Sequence, residues 1–149
     1  MATTITPATL TVQIKEEITL GGTTYDQTIT KSIASIGNYS KRQFTITAGA
    51  SHSIAEFLDT VTNDAYDTDD LKYIRLTNLD DTNAVIVTIA GDNEAAAIEL
   101  EAGASFQMFD SKLSGSTSKA AITTVDDIEI IYVHNASGGA DVELVVATA

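Results

Sequence analysis

Ala84-Val85-Ile86-Val87-Thr88-Ile89-Ala90, then Gly91-Asp92-Asn93, then Ala95-Ala96-Ala97-Ile98-Glu99-Leu100, is the stretch on which the fold turns. Seven residues dominated by β-branched side chains suit a pleated, half-buried surface, and Gly-Asp-Asn is the chemistry of a tight turn. Glu101-Ala102-Gly103 repeats the punctuation before Ser105-Phe106-Gln107-Met108-Phe109. The reading is a meander of short strands, each hairpin closing onto the next.

The same grammar extends both ways. Upstream lie Leu71 to Thr77 and a turn at Asn78-Leu79-Asp80-Asp81. Downstream, residues 111–121 read as a loop, and Ile128 to Val133 and Val142 to Val146 pair across Asn135-Ala136-Ser137-Gly138-Gly139. Nearer the start, Ala8 to Leu20 alternates Leu10, Val12 and Ile14, with a bulge expected at Glu16-Glu17 before Ile18 and Leu20. Gly21-Gly22 supplies the positive φ of a hairpin turn leading into Tyr25 to Ile33. Residues 36–40 read as a linker before Arg42 to Thr47. Ser53-Ile54-Ala55-Glu56 fits a helix capping box, and Ile54, Phe57, Leu58 and Val61 fall at helical spacing; a strand from Ile54 to Leu58 is favoured, with a short helical turn as the alternative.

About nine strands at about ten-residue spacing are the signature of a two-sheet sandwich or jelly roll. The expected fold class is all-β, a two-sheet antiparallel β-sandwich of jelly-roll type. An extended N-terminal arm over residues 1–8 is expected to precede one domain over residues 9–149.

The chain has 149 residues, no cysteine and a formal charge of −13. The length suffices for a core held by packing alone, and disulfides and thiolate metal sites are ruled out. Neither a secretory leader nor an apolar run of membrane-spanning length is read at the N-terminus or elsewhere. Residues 1–50 carry four basic and three acidic side chains, residues 51–100 two against eleven, and residues 101–149 two against seven. Lacking clustered Lys and Arg, the chain is not expected to bind nucleic acid. The acidity reads as a solvated, self-repelling surface.

No chemical motif stands out. His52 and His134 are the only histidines; Ser51 and Ser53 flank His52, but G-x-S-x-G is missing, as are phosphate-cradling glycine loops. Asp59, Asn63, Asp64, Asp67, Asp69 and Asp70 offer oxygen ligands for calcium without EF-hand spacing, and a solvated acidic loop is the preferred reading. Asn38-Tyr39-Ser40 and Asn135-Ala136-Ser137 match the glycosylation pattern and are read as turn residues. The five tyrosines, spread over different segments, are assigned to packing rather than to stacking on sugars. No catalytic residue, cofactor or metal is expected.

Lys72-Tyr73-Ile74-Arg75-Leu76-Thr77-Asn78-Leu79-Asp80, Ala84 to Ala90, and Leu100-Glu101-Ala102-Gly103-Ala104-Ser105-Phe106 resemble a layout recurring in small virion structural proteins of tailed bacteriophages. The resemblance covers roughly residues 70–149. It implies a non-enzymatic capsid decoration (cement) protein, made in the host cytoplasm and carried on the virion, whose partners are the major capsid protein and further copies of itself, a trimer by analogy with shell symmetry. A neck, tail or fibre-base component, or a carbohydrate-binding module, is the alternative. On electrostatic grounds the partner-facing residues are Met1, Ala2, Thr3, Thr4, Ile5, Thr6 and Pro7 of the arm together with Lys41 and Arg42.

Overall fold

The computed structural model describes residues 6–58, 65–67, 70–91, 95–109, 128–135 and 138–149. They divide after Gly37 into two compact units. This boundary lies well past the expected arm: Ala8 already belongs to a strand, and the sandwich begins at Asn38 rather than at residue 9. Met1 to Ile5 lie outside the described residues, while Thr6 and Pro7 are exposed.

The first unit is one long antiparallel hairpin, β1 (Ala8–Leu20) and β2 (Thr23–Ile36). Gly21 and Gly22 sit at φ 59° and 83°, the left-handed pair whose twist matches that of the flanking strands. The bulge expected at Glu16-Glu17 is not there: Glu16 faces Gln27 and Glu17 faces Asp26 in regular register. Ile14 and Ile18 are both even-numbered, so the alternation never changes phase and no extra residue is needed. The irregularity falls instead between Ala8 and Leu10, across from the stretch where Ser35 adopts φ 61°.

The second unit holds β3 (Asn38–Ile46), β4 (Ser51–Leu58), β5 (Tyr66–Asp67), β6 (Leu71–Asn78), β7 (Val85–Ala90), β8 (Ala95–Leu100), β9 (Ser105–Phe109), β10 (Ile130–His134) and β11 (Ala140–Thr148). One sheet runs β5-β4-β10-β7-β8 and the other β3-β11-β6-β9. Every pairing is antiparallel except that of β4 with the two-residue β5. With β5 set aside, the eight strands lie in the order first-eighth-third-sixth and second-seventh-fourth-fifth. That is the interleaving of a jelly roll.

The fold class is as expected, whereas two connections are not. β8 was to close a hairpin onto β9, but β8 pairs with β7 and β9 pairs with β6 of the opposite sheet. β10 and β11 were to pair; β10 lies between β4 and β7, and β11 between β3 and β6. A short Gly-containing corner has the same composition whether it turns within a sheet or crosses between sheets. The segment Ile54 to Leu58 is strand, within β4. Only Gly37 separates β2 from β3, so Asn38 is a strand residue rather than part of a linker or turn.

The facing sides of the sheets form one core that includes Ile46, Phe57, Ile74, Leu76, Val87, Ile89, Ile131, Val133, Leu144 and Val146. Each such side chain contributes about 1.5–3 kcal/mol by leaving water. Ile128, just ahead of β10, is fully buried among them. On β11 burial extends to the outward positions Val145 and Ala147, flanked by Lys41 and Arg75 and by Tyr39 and Tyr73.

Candidate interaction surfaces

The hairpin separates its side chains by face. Directly opposed residues of an antiparallel pair share a face. Leu10, Val12, Ile14, Ile18 and Leu20 therefore lie with Tyr25, Ile29 and Ile33, while Thr11, Gln13, Thr19, Thr24, Thr28 and Thr30 line the reverse. The reverse face is laced by its own hydrogen bonds, Thr19 to Thr24 at 2.9 Å and Gln13 Nε2 to Thr30 at 3.4 Å, with Lys15 and Glu17 paired at 2.6 Å. Toward the tip the apolar face is open to solvent: Ile18 is 60% exposed, Leu20 69%, Tyr25 60% and Ile29 49%. Solitary two-stranded ribbons are marginal in water, and exposed apolar side chains at this density mark a contact surface. The alternation of apolar residues with Thr was legible in the sequence, interrupted by Glu16, Gln27 and Lys31, but the exposure of this face was not.

Charge follows the same division. Residues 1–37 hold two lysines and three carboxylates, net −1; residues 38–149 hold six basic and eighteen acidic side chains, net −12. Nearly all the acidity therefore belongs to the sandwich.

Lys41 and Arg42 both lie on β3 at the edge of the four-stranded sheet, but successive residues of a strand point to opposite faces. On the outer face Lys41 Nζ lies 2.8 Å from Glu143 Oε2, and Arg75 pairs with Glu143 Oε1. Glu143 is 7% exposed, and the hydrogen bond from Lys41 holds its carboxyl below the usual carboxylate range against the opposing cost of burial, with the charges of Lys41 and Arg75 adding to the effect. Lys41 is thus engaged as well as exposed. Arg42 points the other way, its guanidinium 5.7 Å from the centre of the Tyr66 ring. Tyr66 stacks on Phe57 at 5.5 Å and donates its hydroxyl hydrogen to Ser40 Oγ at 3.0 Å. Ser40, Tyr66 and the exposed Tyr39 join the two cations in an open groove of about 490 Å³. Two tyrosines distant in sequence therefore line one groove, Tyr39 exposed and Tyr66 buried.

Two asparagines close one end of the sandwich, bonding to the adjacent residues Asn83 and Ala84. Asn78, fully buried, donates Nδ2–H to the carbonyls of Asn83 at 2.8 Å and Leu100 at 3.1 Å, and its Oδ1 accepts the Asp80 N–H at 3.1 Å. Asp80 in turn accepts the N–H groups of Asn83 and Thr82, which hold its carboxyl below the usual range. Asn135, also fully buried, donates to the Ala84 carbonyl at 3.3 Å and accepts the Gly138 N–H at 2.9 Å. Folded in this way, Asn135 presents no glycan acceptor.

The histidines do not assemble with the serines beside them. His52 pairs with Val133, which is wholly buried, so it shares the core-facing side, where its Nε2 is buried and finds no partner among the described residues. Ser51 and Ser53 occupy the reverse face, opposite His134 and Tyr132. Of the acidic loop, Asp67 and Asp70 are described; Asp59, Asn63, Asp64 and Asp69 lie outside the described residues. Among the described residues no three His, Asp or Glu side chains gather as metal ligands would.

In comparisons with known proteins, no family model matches the chain, and no curated protein or solved structure matches it either.

Proposed function

We propose that the chain is a non-enzymatic virion structural protein, a capsid decoration protein that binds the outer shell of a tailed phage and stabilises contacts between capsid subunits as a homo-oligomer. The observation that carries this reading is the division of labour between the units. A near-neutral hairpin exposes Ile18, Leu20, Tyr25 and Ile29, and a jelly-roll body carries almost the whole charge of −13. Removing apolar surface from water gives about 25 cal/mol per Å², so such a hairpin adheres while the acidic body repels neighbours and stays solvated. The jelly roll itself is an architecture used in viral capsid domains. Thr6 and Pro7, which lead into the base of the hairpin, are exposed as well.

A mass-spectrometric inventory of purified virions tests the assignment. Decoration predicts many copies per particle, a few copies would move the protein to neck, tail or fibre base, and absence from the particle would overturn the reading. A glycan-binding module is the second reading, favoured by the groove in which the exposed Tyr39 lies with Ser40, Lys41 and Arg42, since a sugar asks for an aromatic face beside polar groups. Retention on immobilised glycans, lost in Tyr39→Ala, would support it.

A further inference from the structure

Because the hairpin is a two-stranded sheet, β1 and β2 each expose an edge among the described residues. The two-residue turn fixes what those edges present. Leu20 and Thr23 close it as a hydrogen-bonded pair, so Ile18 with Tyr25, Glu16 with Gln27 and Ile14 with Ile29 also exchange bonds inside the hairpin. The backbone groups of Thr24, Asp26, Thr28, Thr30 and Ser32 then point outward from β2, and those of Thr11, Gln13, Lys15, Glu17 and Thr19 from β1. An open row of this kind is a template for another strand.

The two edges are not equivalent. β1 is blunted at its middle by Lys15-Glu16-Glu17, whereas the eleven residues of β2 from Thr24 to Ala34 hold one Asp and one Lys among Thr, Ser, Ile, Tyr, Gln and Ala. The left-handed backbone of Ser35 ends that run at the base, and Gly21-Gly22 ends it at the tip.

We propose that β2 pairs antiparallel with β2 of a second copy about a two-fold axis at Ile29, giving a four-stranded sheet β1-β2-β2-β1. Centred there, the whole run from Thr24 to Ala34 overlaps: the outward-pointing Thr28 meets the partner's Thr30, Asp26 meets the partner's Ser32, and Thr24 meets the partner's Ala34. On the apolar face Tyr25 meets the partner's Ile33, and Gln27 meets the partner's Lys31. No like charges face each other, and the apolar stripes of the two hairpins merge into one surface. Antiparallel alignment also sends the chains out of the shared sheet at opposite ends, about 35 Å apart. This edge gives a dimer in place of the threefold assembly expected from shell symmetry, since a cyclic trimer would require β2 to meet the charged β1 edge. The pairing does not depend on shell binding.

The full chain in solution tests it. Light scattering after size exclusion should give about 31 kDa, twice the chain mass of 15.7 kDa. Amide exchange read by NMR should be slowed by more than about tenfold at Thr24, Asp26, Thr28, Thr30 and Ser32 relative to the outward amides of β1. Thr28→Pro removes one outward N–H without touching the bonds inside the hairpin and should halve the mass. Gln13→Pro makes the same change on β1 and should leave the dimer intact. A monomeric parent chain, a trimer, or dissociation by Gln13→Pro would each overturn the proposal.

Discussion

Glu143 is the residue through which the outer face of the four-stranded sheet is tied to its edge. Its carboxylate lies between Lys41 on β3 and Arg75 on β6, so it links both neighbours of β11. Because its folded pKa is lowered, its contribution is fully present above the ordinary carboxylate value and is lost as the pH falls through the folded value. Glu143→Gln should cost about 1 kcal/mol in urea unfolding at pH 7, since both cations keep one side in water, and the difference from the parent should shrink at pH 3. An undiminished difference at acid pH would mean that shape rather than charge is being lost. Asn78 makes a larger claim, because its amide satisfies carbonyls that water does not reach. Asn78→Ala should destabilise by about 1–3 kcal/mol, measurable in the same titration. Nothing in the sequence distinguished Asn78 or Asn135 from an ordinary turn asparagine: burial is a property of the assembled end of the sandwich.

At the scale of elements, the hairpin and the sandwich make separate predictions. Ile131 lies in the core on the central strand β10, so Ile131→Ala should lower stability by about 2–5 kcal/mol. Gly22 sits at φ 83° with open space around it, so Gly22→Val strains the turn without a clash. Exchange at the β1–β2 amides should accelerate while the melting of the sandwich stays unchanged. Strand positions were legible because Val85 to Ala90 and Leu71 to Asn78 are rich in β-branched and aromatic residues and are bounded by turn residues of unmistakable type. Strand partners were not. Which sheet β9 joins is decided by Phe106 and Met108 facing Leu76 and Ile74 across the register, a long-range match that Glu101-Ala102-Gly103 does not encode. The hairpin's independence was hidden for a related reason: Leu10, Val12 and Ile14 alternate like any core-facing strand, and only the structure shows how exposed the tip beyond them is.

At the scale of the whole molecule, the proposed function assigns adhesion and solubility to different units. The unit carrying −1 presents apolar side chains, and the unit carrying −12 stays hydrated and repels like-charged neighbours. The proposed shell binding should therefore depend only modestly on salt, because the proposed contact is apolar area more than ion pairs. The direct measurement is co-sedimentation of the full chain with particles stripped of it, compared with the double variant Ile18→Asp/Tyr25→Asp, whose sites are each 60% exposed and so leave the sandwich intact. The account predicts saturable binding of the parent in many copies and loss of most of that binding in the variant, with unchanged circular dichroism and melting. Equal binding by both, or no binding by the parent, would contradict it.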